Sequence, residues 1–217
     1  MALLKTRKST LRVRGIARRE LLLAAARALL EERELDEISL GDVAARAGVP
    51  KGSAYHFYDD ISDLYAALLA LTEEDVLQTQ ALPITEPVRE WPDVVRVLLR
   101  RGVSFYNSNR PHRQLQIGPK TPPELKLHDR RSDFALGGIY QQQLSAFFEL
   151  PELPNGPQIF FRAVEIADLM FGLSVLDNGM ISEEMGAEAE RAVIAYLGTY
   201  IPEKLPRRRP AAAKPLR

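Results

Sequence analysis

Residues 39–64, SLGDVAARAGVPKGSAYHFYDDISDL, constrain the fold of this chain most tightly. Ser39 and Asp42 have the spacing at which a hydroxyl and a carboxylate cap each other's backbone N–H groups, so a helix opens there. Val43, Ala44 and Ala47 then face one side, and the small alanines let a second helix come close. Gly48 is a natural stop, because a left-handed residue carries no Cβ penalty when it is glycine. Pro50 has its ring pre-set for a first helical turn, and Lys51 to Tyr58 makes a second short helix. Two short helices joined by a glycine turn have the shape of a helix-turn-helix.

The rest of the chain is helical in pattern and shows no strand-like alternation. A helix is expected from about Ile16 to Arg33, with Leu22, Leu23, Ala26, Leu29 and Leu30 as its apolar stripe. Asp60 and Asp63 cap another, which runs to about Ala81. Three prolines in 82–92 break the pattern. Helices are expected at Asp93–Asn107, Glu124–Leu150, Gln158–Leu176 and Glu183–Tyr200, with the loop 110–123 holding one helical turn. The fold class is therefore all-α. An N-terminal three-helix domain carries the helix-turn-helix, and a larger helical domain follows. The expected divisions are a basic flexible arm (1–14), the helix-turn-helix domain (15–60), a second domain (61–203, with 61–81 as connecting helix) and a basic disordered tail (204–217). Gly137 and Gly138 are costly inside a helix, about 1 kcal/mol each relative to alanine. They mark either close packing, a kink, or a harmless surface bend.

Charge is unevenly distributed although the net charge is zero. Residues 1–19 hold seven Lys and Arg and 204–217 hold six, with no acid in either. The intervening chain carries a net −13. A basic arm beside a helix-turn-helix is the electrostatic footprint of a DNA-binding protein. There is no cysteine, which removes disulfides and thiolate metal sites and fits a cytoplasmic location. No apolar run is long enough to span a membrane, and no secretory leader is expected. His56, His112 and His128 show no metal-ligand spacing and no nucleophile motif accompanies them, so neither enzyme activity nor a cofactor is expected.

The stretch RRELLLAAARALLEERELDEISLGDVAARAGVPKGSAYHFYDDISDL resembles the N-terminal DNA-binding domain of the TetR family of transcriptional regulators. The resemblance rests on Leu22, Leu23, Ala25, Ala26 and Leu29, on Ser-x-x-Asp-Val-Ala from Ser39, and on Ala47-Gly48-Val49. Lys51-Gly52-Ser53, Tyr55 and Leu64 complete it. It implies DNA contacts from Lys51, Gly52, Ser53 and Tyr55, with His56 and Ser39 beside them. The residue types suit that role. Lys51 can reach a base edge or a phosphate, Gly52 lets the backbone come close, and Ser53 and Tyr55 can donate to phosphate oxygens.

Four residues depart from the family pattern: Glu34 for the glycine after the first helix, Ala54 for a larger apolar residue, Tyr58 for phenylalanine, and Ile61 for a lysine. The turn at Glu34 is expected to be altered. The charge missing at Ile61 is expected from the arm, in particular Arg12 and Arg14.

The resemblance further implies a ligand-binding and dimerising second domain. Phe105, Tyr106, Tyr140, Phe147, Met170 and Leu173 would line a cavity for an apolar or amphipathic small molecule. Residues 160–176 are apolar on more than one face and call for two partners. A twofold homodimer through Phe161, Ile166, Val193, Tyr196 and Leu197 is expected. The function implied is a regulator, most often a repressor, released from a palindromic DNA operator by a ligand. The alternative is a DNA-binding dimer without a small-molecule switch, architectural or controlled by a protein partner.

Overall fold

The computed structural model describes residues 2–208, with side chains placed for 14–126 and 130–208. The expected arm residue Arg12 and the tail from 209 onward lie outside the described side chains. Helices account for the ordered elements: α1 (Ala2–Glu32), α2 (Leu40–Arg46), α3 (Lys51–Phe57), α4 (Ile61–Ala81), α5 (Trp91–Ser108), α6 (Arg110–Gln116), α7 (Pro123–Phe147), α8 (Gly156–Asn178) and α9 (Glu183–Gly198). A 3₁₀ turn, Leu35–Glu37, follows α1. Among the described residues there is no strand, only an isolated bridge between Phe148 and Arg207. No described helix is long and apolar enough to cross a membrane.

Local chemistry sets the ends of these helices. The Ser39 hydroxyl accepts from Asp42 N–H at 3.2 Å and Asp42 accepts from Ser39 N–H at 2.9 Å, a reciprocal cap. The Ser39 hydroxyl also donates to the Asp42 carboxylate at 2.6 Å, and this bond, with the one from Ser39 N–H, holds the carboxyl below its usual range, with Arg33 and Lys51 adding to the effect. Gly48 adopts φ +63°, as a glycine stop requires. Asp60 accepts from Ser62 and Asp63 N–H and opens α4. The 110–123 segment holds more than a single turn. Asn109 caps α6 by accepting from His112 N–H, and Pro111 occupies its first turn.

The chain divides into two compact units. The first comprises Met1–Glu74 and Ser108–Asp129. Its core joins α1 (Leu22, Ala26, Leu30), α2 (Val43, Ala44), α3 (Ala54) and α4 (Leu64, Leu69) with Leu115 and Leu125 from the returning segment. Ala54 is fully buried and Tyr58 nearly so, so the small and large departures both fill core positions.

This unit also encloses His112, which is 0% exposed, with Nδ1 2.7 Å from the Thr72 hydroxyl. Burial pushes its pKa down to about 4, and Arg27 pushes the same way against the Gln116 hydrogen bond. Below the ordinary value of 6.5 the unfolded chain takes up a proton that the folded unit refuses. The first unit is therefore expected to lose stability as pH falls from about 6.5 towards 4, with no such loss above 6.5. Urea midpoints across that window, compared with those of His112→Gln, check this. Parallel pH curves for the two proteins would contradict it.

The second unit comprises Asp75–Asn107 and Arg130–Arg217. α8 and α9 pack as a helix pair, with Ala163, Ala167, Ala189, Val193 and Leu197 buried. Trp91 is buried and donates through Nε1 to the Pro202 carbonyl at 3.0 Å. The link after α8 is tied by Asn107, which donates to the Ile181 carbonyl at 2.8 Å and accepts from Ile181 N–H at 2.9 Å. Gly137 meets the backbone of α8. A Cβ built there would lie 2.6 Å from Phe161 N and 2.9 Å from Phe160 C, whereas one at Gly138 meets nothing within 4 Å. α7 runs unbroken through both, so Gly137 serves close packing and Gly138 does not.

Candidate nucleic-acid interface

α3 is presented as a short exposed helix on a buried anchor. Ala54 and the C-capping Tyr58 face the core, while Lys51, Gly52, Tyr55 and His56 are exposed and Ser53 is half-buried. Its first turn has no side-chain cap, which leaves N-terminal backbone N–H groups to an outside acceptor. No Cβ contact restricts the approach to Gly52. The Lys51 ammonium stands 5.8 Å from the centre of the Tyr55 ring. The Lys51 side chain passes beside α2, where a Cβ on Gly41 would make only ordinary contact with its Cε and Nζ at 3.6–3.7 Å. A cation, an exposed backbone and a phenol hydroxyl thus share one end of α3. That is the chemistry of phosphate and base-edge contact. Ser39 is exposed nearby, but its hydroxyl is engaged with Asp42.

α1 approaches the other end of α3. Gly15 faces the Phe57 ring, with a Cβ position 3.9 Å from it. Arg19 Nε donates to the Tyr58 hydroxyl at 3.1 Å, and its guanidinium lies 5.8 Å from the ring centre. The hydroxyl that tyrosine has over the usual phenylalanine therefore ties α1 to α3. Arg14 and Arg18 are exposed on the same stretch of α1.

Residues 22–68 match the family model described as bacterial regulatory proteins, tetR family. Residues 22–68 therefore form a tetR-family DNA-binding domain. Comparison with curated proteins finds no match. Among solved structures, a TetR-family transcriptional regulator from Streptomyces coelicolor superposes with a TM-score of 0.64 at 23% identity, covering 85% of this chain and 98% of that one. SmeT, the repressor of the Stenotrophomonas maltophilia multidrug efflux pump SmeDEF, gives 0.58 at 15% identity over 84% and 90% of the two chains. A SmeT–triclosan complex gives 0.55 at 18% identity over 90% and 100%. At these identities the likeness is one of fold.

The other residues singled out by sequence scatter over the second unit. Tyr106 and Tyr140 are buried, Phe105, Phe147 and Met170 are half-buried, and Leu173 is 43% exposed. Tyr106 stacks edge-on against Phe105 and Phe171. Phe147 instead lines a separate cleft of about 310 Å³ with Ala81, Ile84, Ile139, Gln142 and Gln143. Asp168 and Asp133 add to burial in raising the Tyr140 hydroxyl pKa. Among the described residues no group of His, Asp and Glu could hold a metal ion.

Of the residues expected at a dimer interface, Val193 and Leu197 are 0% exposed. They pack within their own unit and are unavailable to a partner. Phe161, Ile166 and Tyr196 are half-buried. The face that α8 leaves open carries Leu169, Leu173 and Leu176, with Met180 just beyond. Sequence periodicity showed two apolar faces on α8 without saying which one α9 covers.

Gln114 and Arg110 of α6 were not singled out by sequence, yet both hold the end of α1. The one signal pointing towards them was the missing glycine at Glu34.

Proposed function

We propose that this protein is a ligand-responsive transcriptional regulator, most often acting as a repressor, that binds a palindromic operator as a homodimer. The observation that carries the DNA-binding part is the exposed end of α3, where Lys51, Gly52 and Tyr55 converge over a capped α2. A twofold dimer would set two α3 helices in successive major grooves, about 34–36 Å apart. Sequencing duplexes selected from a random pool by the purified protein tests this. Recovery of an inverted repeat with that spacing supports it, and a pool without enrichment refutes it.

The basic arm supplies sequence-independent affinity in this reading. Replacing Arg12 and Arg14 with alanine is expected to weaken binding to every duplex. The slope of log K against log salt should become shallower by about 0.9 for each phosphate contact removed. An unchanged slope in a salt titration would remove the arm from the interface.

The open face of α8 supports the homodimer. A second copy would cover Leu169, Leu173 and Leu176, an apolar stripe at helical spacing on an otherwise packed helix. Leu169→Glu with Leu176→Glu is expected to halve the mass measured by light scattering at micromolar concentration while helicity is retained. A variant of unchanged mass would place the interface elsewhere.

The ligand switch draws support from the cleft beside Phe147, whose size falls at the lower end of small-molecule sites. A ligand releases DNA only if it binds the DNA-incompetent state more tightly. Loss of an operator complex on titration with apolar and amphipathic compounds supports the switch. A complex that survives all of them favours the regulator without one.

A further inference from the structure

The end of α1 lacks the device that usually closes a helix. The last carbonyls of a helix have no intrahelical partner, and a left-handed glycine commonly lets the chain turn back to satisfy them. Here the position is Glu34, whose backbone is extended at φ −75° and ψ 148°. No residue between Arg33 and Ile38 has a positive φ. The carbonyls of Leu30, Glu31 and Arg33 are instead met by side chains from α6, about eighty residues away.

Gln114 makes the central contacts. Its Nε2 donates to the carbonyls of Leu30 at 2.7 Å and Arg33 at 2.9 Å. Its Oε1 accepts from Leu35 N–H, the opening residue of the 3₁₀ turn, at 2.9 Å. Two donors and an acceptor on one planar group are needed for that set, and among side chains of this reach only a glutamine amide provides them. Arg110 adds hydrogen bonds to the Leu30 and Glu31 carbonyls and an ion pair to Glu34 at 2.8 Å.

Gln114 is itself held firmly. It is 7% exposed. Its own carbonyl accepts from the Thr121 hydroxyl at 2.9 Å. The chain after α6 folds so closely on it that a Cβ at Gly118 would lie 2.6 Å from that carbonyl oxygen.

We propose that Gln114, assisted by Arg110, is a positioning residue for DNA binding. It caps α1 from a distant part of the chain and thereby fixes the α1–α2 turn that the missing glycine leaves open. That turn decides how α2, and with it α3, sits against the basic stretch of α1. The proposal rests on the DNA-binding reading above.

Three full-length variants test it: Gln114→Met, which keeps volume and removes all three hydrogen bonds; Glu34→Gly, which restores a cap within the turn; and their combination. Affinity for a selected operator duplex is measured alongside hydrogen exchange at Leu35 N–H and at core amides of α4. Gln114→Met is expected to weaken DNA binding about tenfold. It should speed exchange at Leu35 with the α4 amides still protected. Glu34→Gly should leave affinity near that of the parent and restore most of it to Gln114→Met. A Gln114→Met protein that binds like the parent overturns the proposal. So does a combined variant that stays folded without recovery, or global unfolding of Gln114→Met, which would make Gln114 a core group. If the parent binds no duplex, the DNA-binding reading fails, and exchange at Leu35 still decides whether Gln114 is the cap.

Discussion

Gly137→Leu is expected to destabilise the second unit by about 3 kcal/mol, the upper part of the usual overpacking range. The cost arises because the added Cβ meets Phe161 N at 2.6 Å and Phe160 C at 2.9 Å. Those atoms belong to the α8 backbone and cannot turn aside as a side chain could. α7 and α8 would have to separate, and Phe160, which is 0% exposed, would lose its packing. The neighbouring glycine is the control. Gly138 is exposed with nothing near its Cβ position, so Gly138→Ala should add about 1 kcal/mol by raising helix propensity. Urea unfolding followed by far-ultraviolet circular dichroism measures both. Similar midpoints for the two variants would refute the close α7–α8 contact.

Leu64→Ala is expected to cost the first unit about 2–5 kcal/mol. Leu64 is 0% exposed and packs in the core that joins α1, α2, α3 and α4. A loss of that size is a large share of the about 5–15 kcal/mol that holds a domain together. DNA affinity should fall with it, because α3 has only seven residues and cannot persist without its supporting core. Hydrogen exchange separates the effect by unit: amides of α2 and α3 should lose protection while those of α8 keep theirs. Uniform loss along the chain would mean that the two units unfold as one.

These two positions also show what the sequence made legible. Leu64 entered only through the family resemblance, but the elements around it carry their own instructions. The Ser39–Asp42 cap, the Gly48 stop and the start of α3 are all written in adjacent residues, and all appear where expected. Gly137 and Gly138 could only be marked as a pair. One residue turns a helix by about 100°, and only the location of α8 decides which glycine faces it. The same ambiguity explains Val193 and Leu197, which the apolar pattern could not separate from a surface such as Leu169. Gln114 was harder still. Its partner Leu30 lies 84 positions away, and no local pattern reveals that a glutamine on a short helix closes the end of another.

In the proposed DNA-binding role, the pose of Lys51 bears on the entropy of recognition. A free lysine side chain loses about 1.5–2 kcal/mol of rotamer freedom when it is immobilised. In this protein the ammonium stands 5.8 Å from the centre of the Tyr55 ring, within reach of its face. Part of that loss is therefore incurred during folding, before any duplex arrives. The contact it then makes should carry a smaller entropic penalty than one from a lysine swinging freely in solvent. Tyr55 would thus contribute to affinity even where its own hydroxyl touches nothing.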